Sequence, residues 1–200
     1  MSFKLLRQFA LVFGLAAVIA GCGGVNPPTS RLPELSFRGA PPFRLNIARI
    51  EVVNKYTAPA GAPHIEYDMP VSPEQAVKRW VEDRLQPVGR SGTLRVVINE
   101  ASATETPLKT DQGLTGVFKK EQAARVDMSV NVVLQMLDER QFVIADVSGD
   151  AMRSSTEPEG QKLNERDRFL YDMVADLIKG MDAKFGPNVP VAFGQWLGTP

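Results

Sequence analysis

The 200-residue chain has one cysteine, Cys22, and one histidine, His64. A single cysteine cannot form a disulfide within the chain, and a zinc site built from paired His and Cys ligands needs more of both. A Ser-His-Asp triad could draw only on His64, and no Gly-x-Ser-x-Gly sequence accompanies it. We therefore interpret His64 as an exposed loop residue, and we predict no metal site, no cofactor and no catalytic residues.

Charge of one sign is not concentrated anywhere, because 23 Lys and Arg residues balance 23 Asp and Glu residues without a long block of either. A nucleic-acid-binding protein normally carries a basic patch, so we predict no nucleic-acid partner. Carboxylates are plentiful, but Glu100, Glu105 and Glu121 have no spacing that selects a catalytic pair. Glu165 and Asp167 fit the dipole at the start of a helix. The sequence predicts a protein that is not an enzyme. A hydrolase ranks third, behind two non-catalytic binding functions.

The N-terminus carries the pattern of a secretory signal peptide. Lys4 and Arg7 precede an almost wholly apolar run over residues 9–20, and small residues lie just before Cys22. An uncleaved membrane-spanning helix is the alternative, but a run of about 12 apolar residues is too short to cross ~30 Å of hydrocarbon. The pattern therefore favours export.

Residues Ile19-Ala20-Gly21-Cys22 resemble the lipobox of bacterial lipoproteins. The resemblance implies that residues 1–21 are a cleaved lipoprotein signal peptide and that Cys22 carries fatty acyl chains such as palmitate. Lipoproteins of this type usually carry three acyl chains on that cysteine, and durable anchoring takes at least two. The resemblance therefore implies that Cys22 holds the chain permanently at the membrane. Gly23 stands where inner-membrane lipoproteins of enteric bacteria often carry Asp, which favours the outer membrane, on its periplasmic side.

Proline and glycine divide the remaining chain. Residues 22–42 are rich in both and predict an extended, lipidated tether. Residues 43–186 predict one α+β periplasmic domain, and Gly186-Pro187 predicts the end of its last helix. Residues 187–200 are then a C-terminal tail.

The first half of the predicted domain reads as strand, helix, strand. Residues 43–56 alternate as a strand, with a phase change that indicates a bulge, and residues 57–71 are a proline-rich loop. Ser72, Pro73 and Gln75 then form the start signal of a helix.

The second half reads as strand, strand, helix. Residues 126–136 place six apolar side chains at period two and form a predicted hairpin with residues 142–152. Residues 164–185 carry an apolar stripe at helical spacing, which we interpret as core packing. The whole order predicts a two-layer α+β sandwich.

The connection over residues 107–124 contains Leu114, Val117 and Phe118 among lysines. These side chains predict either a contact surface or a small satellite of the core under the loop, and the second is favoured.

An acylated Cys22, a Pro-rich tether and this order of elements resemble the small envelope lipoproteins of Gram-negative bacteria. They are similar to ABC-transport auxiliary lipoproteins and, more distantly, to lipopolysaccharide-assembly lipoproteins. The resemblance implies a non-catalytic auxiliary component of envelope assembly or lipid transport. Its sheet face, or an apolar cleft beside the last helix, would bind an envelope protein, with a lipid as a second candidate partner. The alternative is a lipoprotein that binds a small ligand or a peptidoglycan fragment in a pocket.

Overall fold

The computed structural model of the chain describes residues 32–108 and 122–198. The predicted signal peptide, Cys22 and the first part of the predicted tether lie outside the described residues. Leu114, Val117 and Phe118, from the connection over residues 107–124, also lie outside the described residues.

The described part of the chain has the predicted two-layer α+β architecture. Its elements are β1 (Phe43–Leu45), β2 (Arg49–Asn54), α1 (Pro73–Arg84), β3 (Leu85–Pro87), β4 (Thr93–Pro107), β5 (Gln122–Leu137), β6 (Val143–Pro158) and α2 (Leu163–Phe193). A four-stranded sheet has the order β2-β4-β5-β6, with β2 parallel to β4 and the other pairs antiparallel. Both helices pack on one face of this sheet and bury the core between the two layers.

Strand β5 confirms the alternating pattern read from the sequence. Its six predicted inward side chains, from Val126 to Met136, are all at most 1% exposed. Intervening residues such as Ser129 and Asn131 lie on the open face and are partly exposed. One face of the strand is therefore dry and the other is wet.

The start of α1 also follows the sequence. The Gln75 backbone N–H donates to Ser72 Oγ at 3.2 Å, and the Ser72 backbone N–H donates to Gln75 Oε1 at 3.0 Å. These two bonds form a capping box, with Pro73 at the first helical position.

The hairpin between β5 and β6 is confirmed as well, and one side chain closes its turn. Asp138 Oδ1 accepts hydrogen bonds from the backbone N–H groups of Arg140 and Phe142, at 2.9 and 2.8 Å. The carboxylate thus binds the backbone donors that the turn leaves without strand partners.

The prediction of one bulged strand over residues 43–56 is wrong. β1 pairs with β3 in a small parallel sheet, whereas β2 pairs with β4 in the large one. The phase change marks the chain passing from one sheet to the other. A register shift does occur in β4, between Ile98 and Glu100, where that strand pairs with β5.

The prediction that the domain begins at Phe43 is also wrong, because the packed unit begins at Leu32. Residues 32–42, here called the N-terminal strap, run along α1. Leu35 and Phe37 are each 8% exposed and belong to the core. The backbone N–H of Phe37 donates to the buried Asp83 carboxylate at 2.8 Å. These two buried side chains and this hydrogen bond attach the strap to the domain.

Helix α2 continues past the predicted stop at Gly186-Pro187 and ends at Phe193, with Pro187 and Pro190 inside it. Each proline removes a helical hydrogen bond, but Val189 and Phe193 are fully buried. Their burial stabilises the last turns. The predicted tail is thus part of the domain. Neither helix in the described ranges is long and apolar enough to cross a membrane.

Candidate interaction surfaces

The two edges of the four-stranded sheet differ in how their backbone groups are used. On the β2 side, β2 pairs with β4 only as far as Ile98. Beyond that point a loop segment lies along β4: the Ile65 N–H donates to the Ala103 carbonyl at 3.1 Å, and the Glu105 N–H donates to the Pro63 carbonyl at 2.8 Å. This edge of β4 is covered.

The β6 edge is not covered by any residue in the described ranges. β6 is 16 residues long, pairs with β5 along its length and is the last strand in the sheet order. Its outward N–H and C=O groups form a row that can accept another strand. Folded proteins usually blunt an edge of this length, so a long open one indicates a place where another chain binds.

Exposed apolar side chains lie at the start of this edge and in its middle. Val143 is 46% exposed and Ile144 51% exposed at the start of β6, and Met152 is 74% exposed further along. Between them the strand carries Asp146 and Asp150, and the Asp150 carboxylate pairs with Lys184 Nζ at 2.7 Å. An added strand would therefore find apolar contacts on either side of Asp146 and of the Asp150–Lys184 ion pair.

The open face of the sheet is hydroxyl-rich and charged. Directly paired residues across β4 and β5 include Ser102 with Ser129 and Thr104 with Asp127. Arg125 Nη2 contacts Asp127 Oδ1 at 2.8 Å and holds the pKa of that carboxyl below its usual value. The face is wet, as the alternation predicted. It is one of the two surfaces suggested by the sequence for a partner, the other being an apolar cleft beside the last helix.

Beside the covered edge lies the buried carboxylate of Glu66, whose side chain is 4% exposed. Its Oε1 atom accepts hydrogen bonds from Tyr56 OH at 2.6 Å and from the Ala103 backbone N–H at 3.0 Å, and His64 Nδ1 lies 3.2 Å away. Burial alone would raise the pKa of Glu66, but these hydrogen bonds outweigh it and lower the pKa, so the carboxylate stays ionised. Burial and the Glu66 charge together raise the pKa of Tyr56.

A cleft of about 440 Å³ opens between the end of β2, the loop over residues 57–71 and the first turns of α1. We call it the Glu66 cleft. Its walls include Tyr56, Glu66, Tyr67, Met69, Ser72 and Lys78. Glu74 lines it too, so the cleft joins a buried anion, two aromatic rings and the ion pair of Lys78 with Glu74.

The interpretation of His64 as an exposed loop residue is wrong. Its side chain is only 23% exposed, and its backbone forms an antiparallel bridge with Thr104. Together with Glu105 and Arg166 it lines a second cleft of about 520 Å³. Within the described ranges, no group of three His, Cys, Asp or Glu residues is arranged to hold a metal ion.

Arg166 links three elements at one end of the domain. Its guanidinium contacts Glu105 Oε2 of β4 and Glu157 Oε2 of β6, each at 2.5 Å, and these carboxylates raise its pKa. Glu165 lies in the first turn of α2, as expected, and it also caps the helix, since its Oε2 accepts the Lys162 N–H at 3.1 Å. The pairing of Glu105 could not be found by spacing, because 61 residues separate it from Arg166.

Comparisons with known proteins identify no family for the chain. No family model and no curated protein matches it. Solved structures similar to it include a minor lipoprotein from Acinetobacter baumannii, at 14% identity and a TM-score of 0.36, covering 78% of this chain and 99% of the other. Rare lipoprotein B from Shewanella oneidensis is 12% identical with a TM-score of 0.36, covering 72% and 95% of the two chains. A Xanthomonas campestris protein assigned to DUF330 is 8% identical with a TM-score of 0.31, covering 80% and 91%. At these values the likeness establishes neither a common fold nor a common role.

Proposed function

We propose that this chain is a lipid-anchored, non-catalytic interaction domain of the bacterial cell envelope, held at the outer membrane and facing the periplasm. The lipobox ending at Cys22 supports the anchor, and Gly23 supports the choice of membrane. In this role the domain is an auxiliary component of envelope assembly or lipid transport, with a protein of that machinery as its partner.

The open edge of β6 is the observation that carries this proposal. An extended segment of the partner adds to β6 as a fifth strand, so that its backbone N–H and C=O groups continue the ladder. Each such hydrogen bond contributes about 1 kcal/mol net. Val143, Ile144 and Met152 add apolar contacts that select the partner's side chains.

Site-specific crosslinking in intact cells tests this surface. A photoreactive residue replacing Ile144 or Met152 is expected to crosslink to an envelope protein, because both side chains are exposed along the edge where the added strand would lie. The measurement is mass spectrometry of the adduct, which names the crosslinked protein. We expect a component of an envelope assembly or lipid-transport system.

Val191 provides the matched control, since it is 85% exposed but lies on α2 and not on the sheet edge. The same photoreactive residue there is expected to give no such adduct. Equal labelling from Val191, no adduct from either β6 position, or adducts only between two copies of this chain would contradict the proposed partner surface.

A further inference from the structure

The Glu66 cleft lies on the β2 side of the sheet, away from the β6 edge, and what it can bind is independent of strand addition. Its most unusual feature is the second oxygen of Glu66. Oε2 is buried and has no hydrogen-bond donor among the described residues, whereas Oε1 accepts from Tyr56 and Ala103 and lies beside His64. A buried acceptor left without a donor is costly, and more so when it is charged.

The charge of Glu66 also lacks a dedicated counter-ion in the described part of the chain. No Lys or Arg nitrogen there lies within 4.0 Å of it, and its one basic neighbour is the His64 ring at 3.2 Å. Lys78 lines the same cleft, but its Nζ is paired with Glu74 at 2.7 Å. The cleft therefore presents a net negative charge to whatever enters it.

The aromatic residues of the cleft suit a positively charged group. Tyr56 is held in place by the 2.6 Å hydrogen bond from its hydroxyl to Glu66. Tyr67 is 73% exposed at the cleft wall, so its ring is available to a ligand. The negative faces of aromatic rings attract ammonium and guanidinium groups, and burial strengthens that attraction.

We propose that the Glu66 cleft binds a ligand through a primary ammonium group, which pairs with the Glu66 carboxylate and contacts the rings of Tyr56 and Tyr67. The ammonium group belongs either to a lysine side chain of a polypeptide or to a free aliphatic amine. Both sources carry the same chemistry at the point of contact, and the cleft volume of about 440 Å³ admits either.

Calorimetric titration of the full-length chain in detergent micelles tests this binding. The probes are Nα-acetyl-lysine-N-methylamide for the peptide source and cadaverine for the free amine, with Nα-acetyl-norleucine-N-methylamide as the uncharged control. We expect saturable binding of at least one amine and none of the norleucine compound. The amine that binds with the higher affinity identifies the source of the ammonium group. Failure of both amines to saturate, or equal binding of the norleucine compound, overturns the proposal.

Three variants then locate the site. Glu66→Gln removes the negative charge at almost constant size and is expected to weaken binding at least about tenfold. Lys78→Gln removes the positive charge from the cleft and is expected to tighten binding several-fold. Glu51→Gln is the control, because Glu51 lies on β2, is paired with Arg49 and does not line the cleft.

Two results would place any binding elsewhere: unchanged affinity in Glu66→Gln, or equal weakening in Glu51→Gln. Should Glu66→Gln fail to fold, Lys78→Gln decides whether the amine enters this cleft, because it removes the cation of the Lys78–Glu74 pair and both residues line the cleft. Tighter binding in that variant supports the site, and unchanged binding refutes it.

Discussion

Replacing Trp80 with alanine is expected to lower the free energy of unfolding by about 4 kcal/mol, the range found for large buried aromatic residues. Trp80 is fully buried between the two helices. Its ring stacks on Phe185 with centroids 5.0 Å apart, and its Nε1–H donates to Asp182 at 2.8 Å. The alanine variant would lose the packing, the stacking and this hydrogen bond together. Urea denaturation followed by circular dichroism measures the loss.

Trp80→Phe separates the ring from its hydrogen bond. Arg84 also donates to Asp182, at 2.9 Å, so the carboxylate keeps one partner when the indole N–H is removed. We expect this variant to lose clearly less than the alanine variant. A loss below about 1 kcal/mol for Trp80→Ala, the size of an average substitution, would contradict the packing of α1 on α2 described above.

Replacing Asp83 with alanine is expected to lower the free energy of unfolding by roughly 3 kcal/mol, because it leaves the buried Phe37 backbone N–H without its acceptor and removes two further hydrogen bonds. The Asp83 side chain is fully buried and accepts from the Phe37 backbone N–H at 2.8 Å and from Arg38 Nε at 2.9 Å. Ser36 Oγ donates to it as well, at 3.2 Å. All three donors belong to the N-terminal strap, so the variant should release the strap from α1.

Limited proteolysis with trypsin detects that release, since Arg38 lies within the strap and its side chain is 71% exposed. Faster cleavage after Arg38 is expected in Asp83→Ala. Glu82→Ala is the control, because the Glu82 side chain is 67% exposed and, among the described residues, its carboxylate pairs only with Arg79, at 3.4 Å. Unchanged cleavage in Asp83→Ala, or equal acceleration in Glu82→Ala, would mean that Asp83 does not hold the strap.

The same carboxylate should make stability depend on pH in a defined direction. Burial acts to raise the pKa of Asp83, but hydrogen bonds from Phe37, Arg38 and Ser36 outweigh it and lower the pKa below its usual value. The unfolded-state pKa of an Asp is about 3.9. Because the folded-state pKa is lower, ionised Asp83 stabilises the fold at any pH above the unfolded-state pKa. This stabilisation is lost as the pH falls from there through the folded-state pKa. The difference in stability between the native chain and Asp83→Asn should therefore shrink below about pH 4.

The strap also shortens the reach of the proposed anchor. With residues 32–42 bound to α1, only the chain between Cys22 and Leu32 would separate a lipid on Cys22 from the domain. Ten residues span at most about 35 Å when fully extended. The tether predicted from the sequence was twice as long, so the domain should lie closer to the bilayer than that prediction implied.

Three predictions made from local sequence patterns were confirmed. The alternation of β5, the capping box at Ser72 and the hairpin of β5 with β6 each depend on residues close in sequence, and all three are confirmed. The two-layer architecture followed from the order of such elements.

The wrong predictions share a cause. In each of them, tertiary contacts outweighed the local preference of the sequence. Pro187 predicted a helix stop, but the burial of Phe193 continues α2 beyond it. Prolines in the strap predicted a free tether, but Asp83, 46 residues away in sequence, binds its backbone. Glu66 could not be recognised for the same reason, since its burial depends on β4, and its donor at Ala103 lies 37 residues along the chain.

The most direct test of the account is the mass of the processed N-terminus from the membrane fraction of expressing cells. Removal of residues 1–21 and a peptide that begins with Cys22 carrying a diacylglyceryl group and an N-linked acyl chain would agree with a tethered interaction domain. The chain should then leave the membrane fraction in the Cys22→Ser variant. An intact N-terminus, or a free Cys22 thiol on a processed chain, would contradict the account.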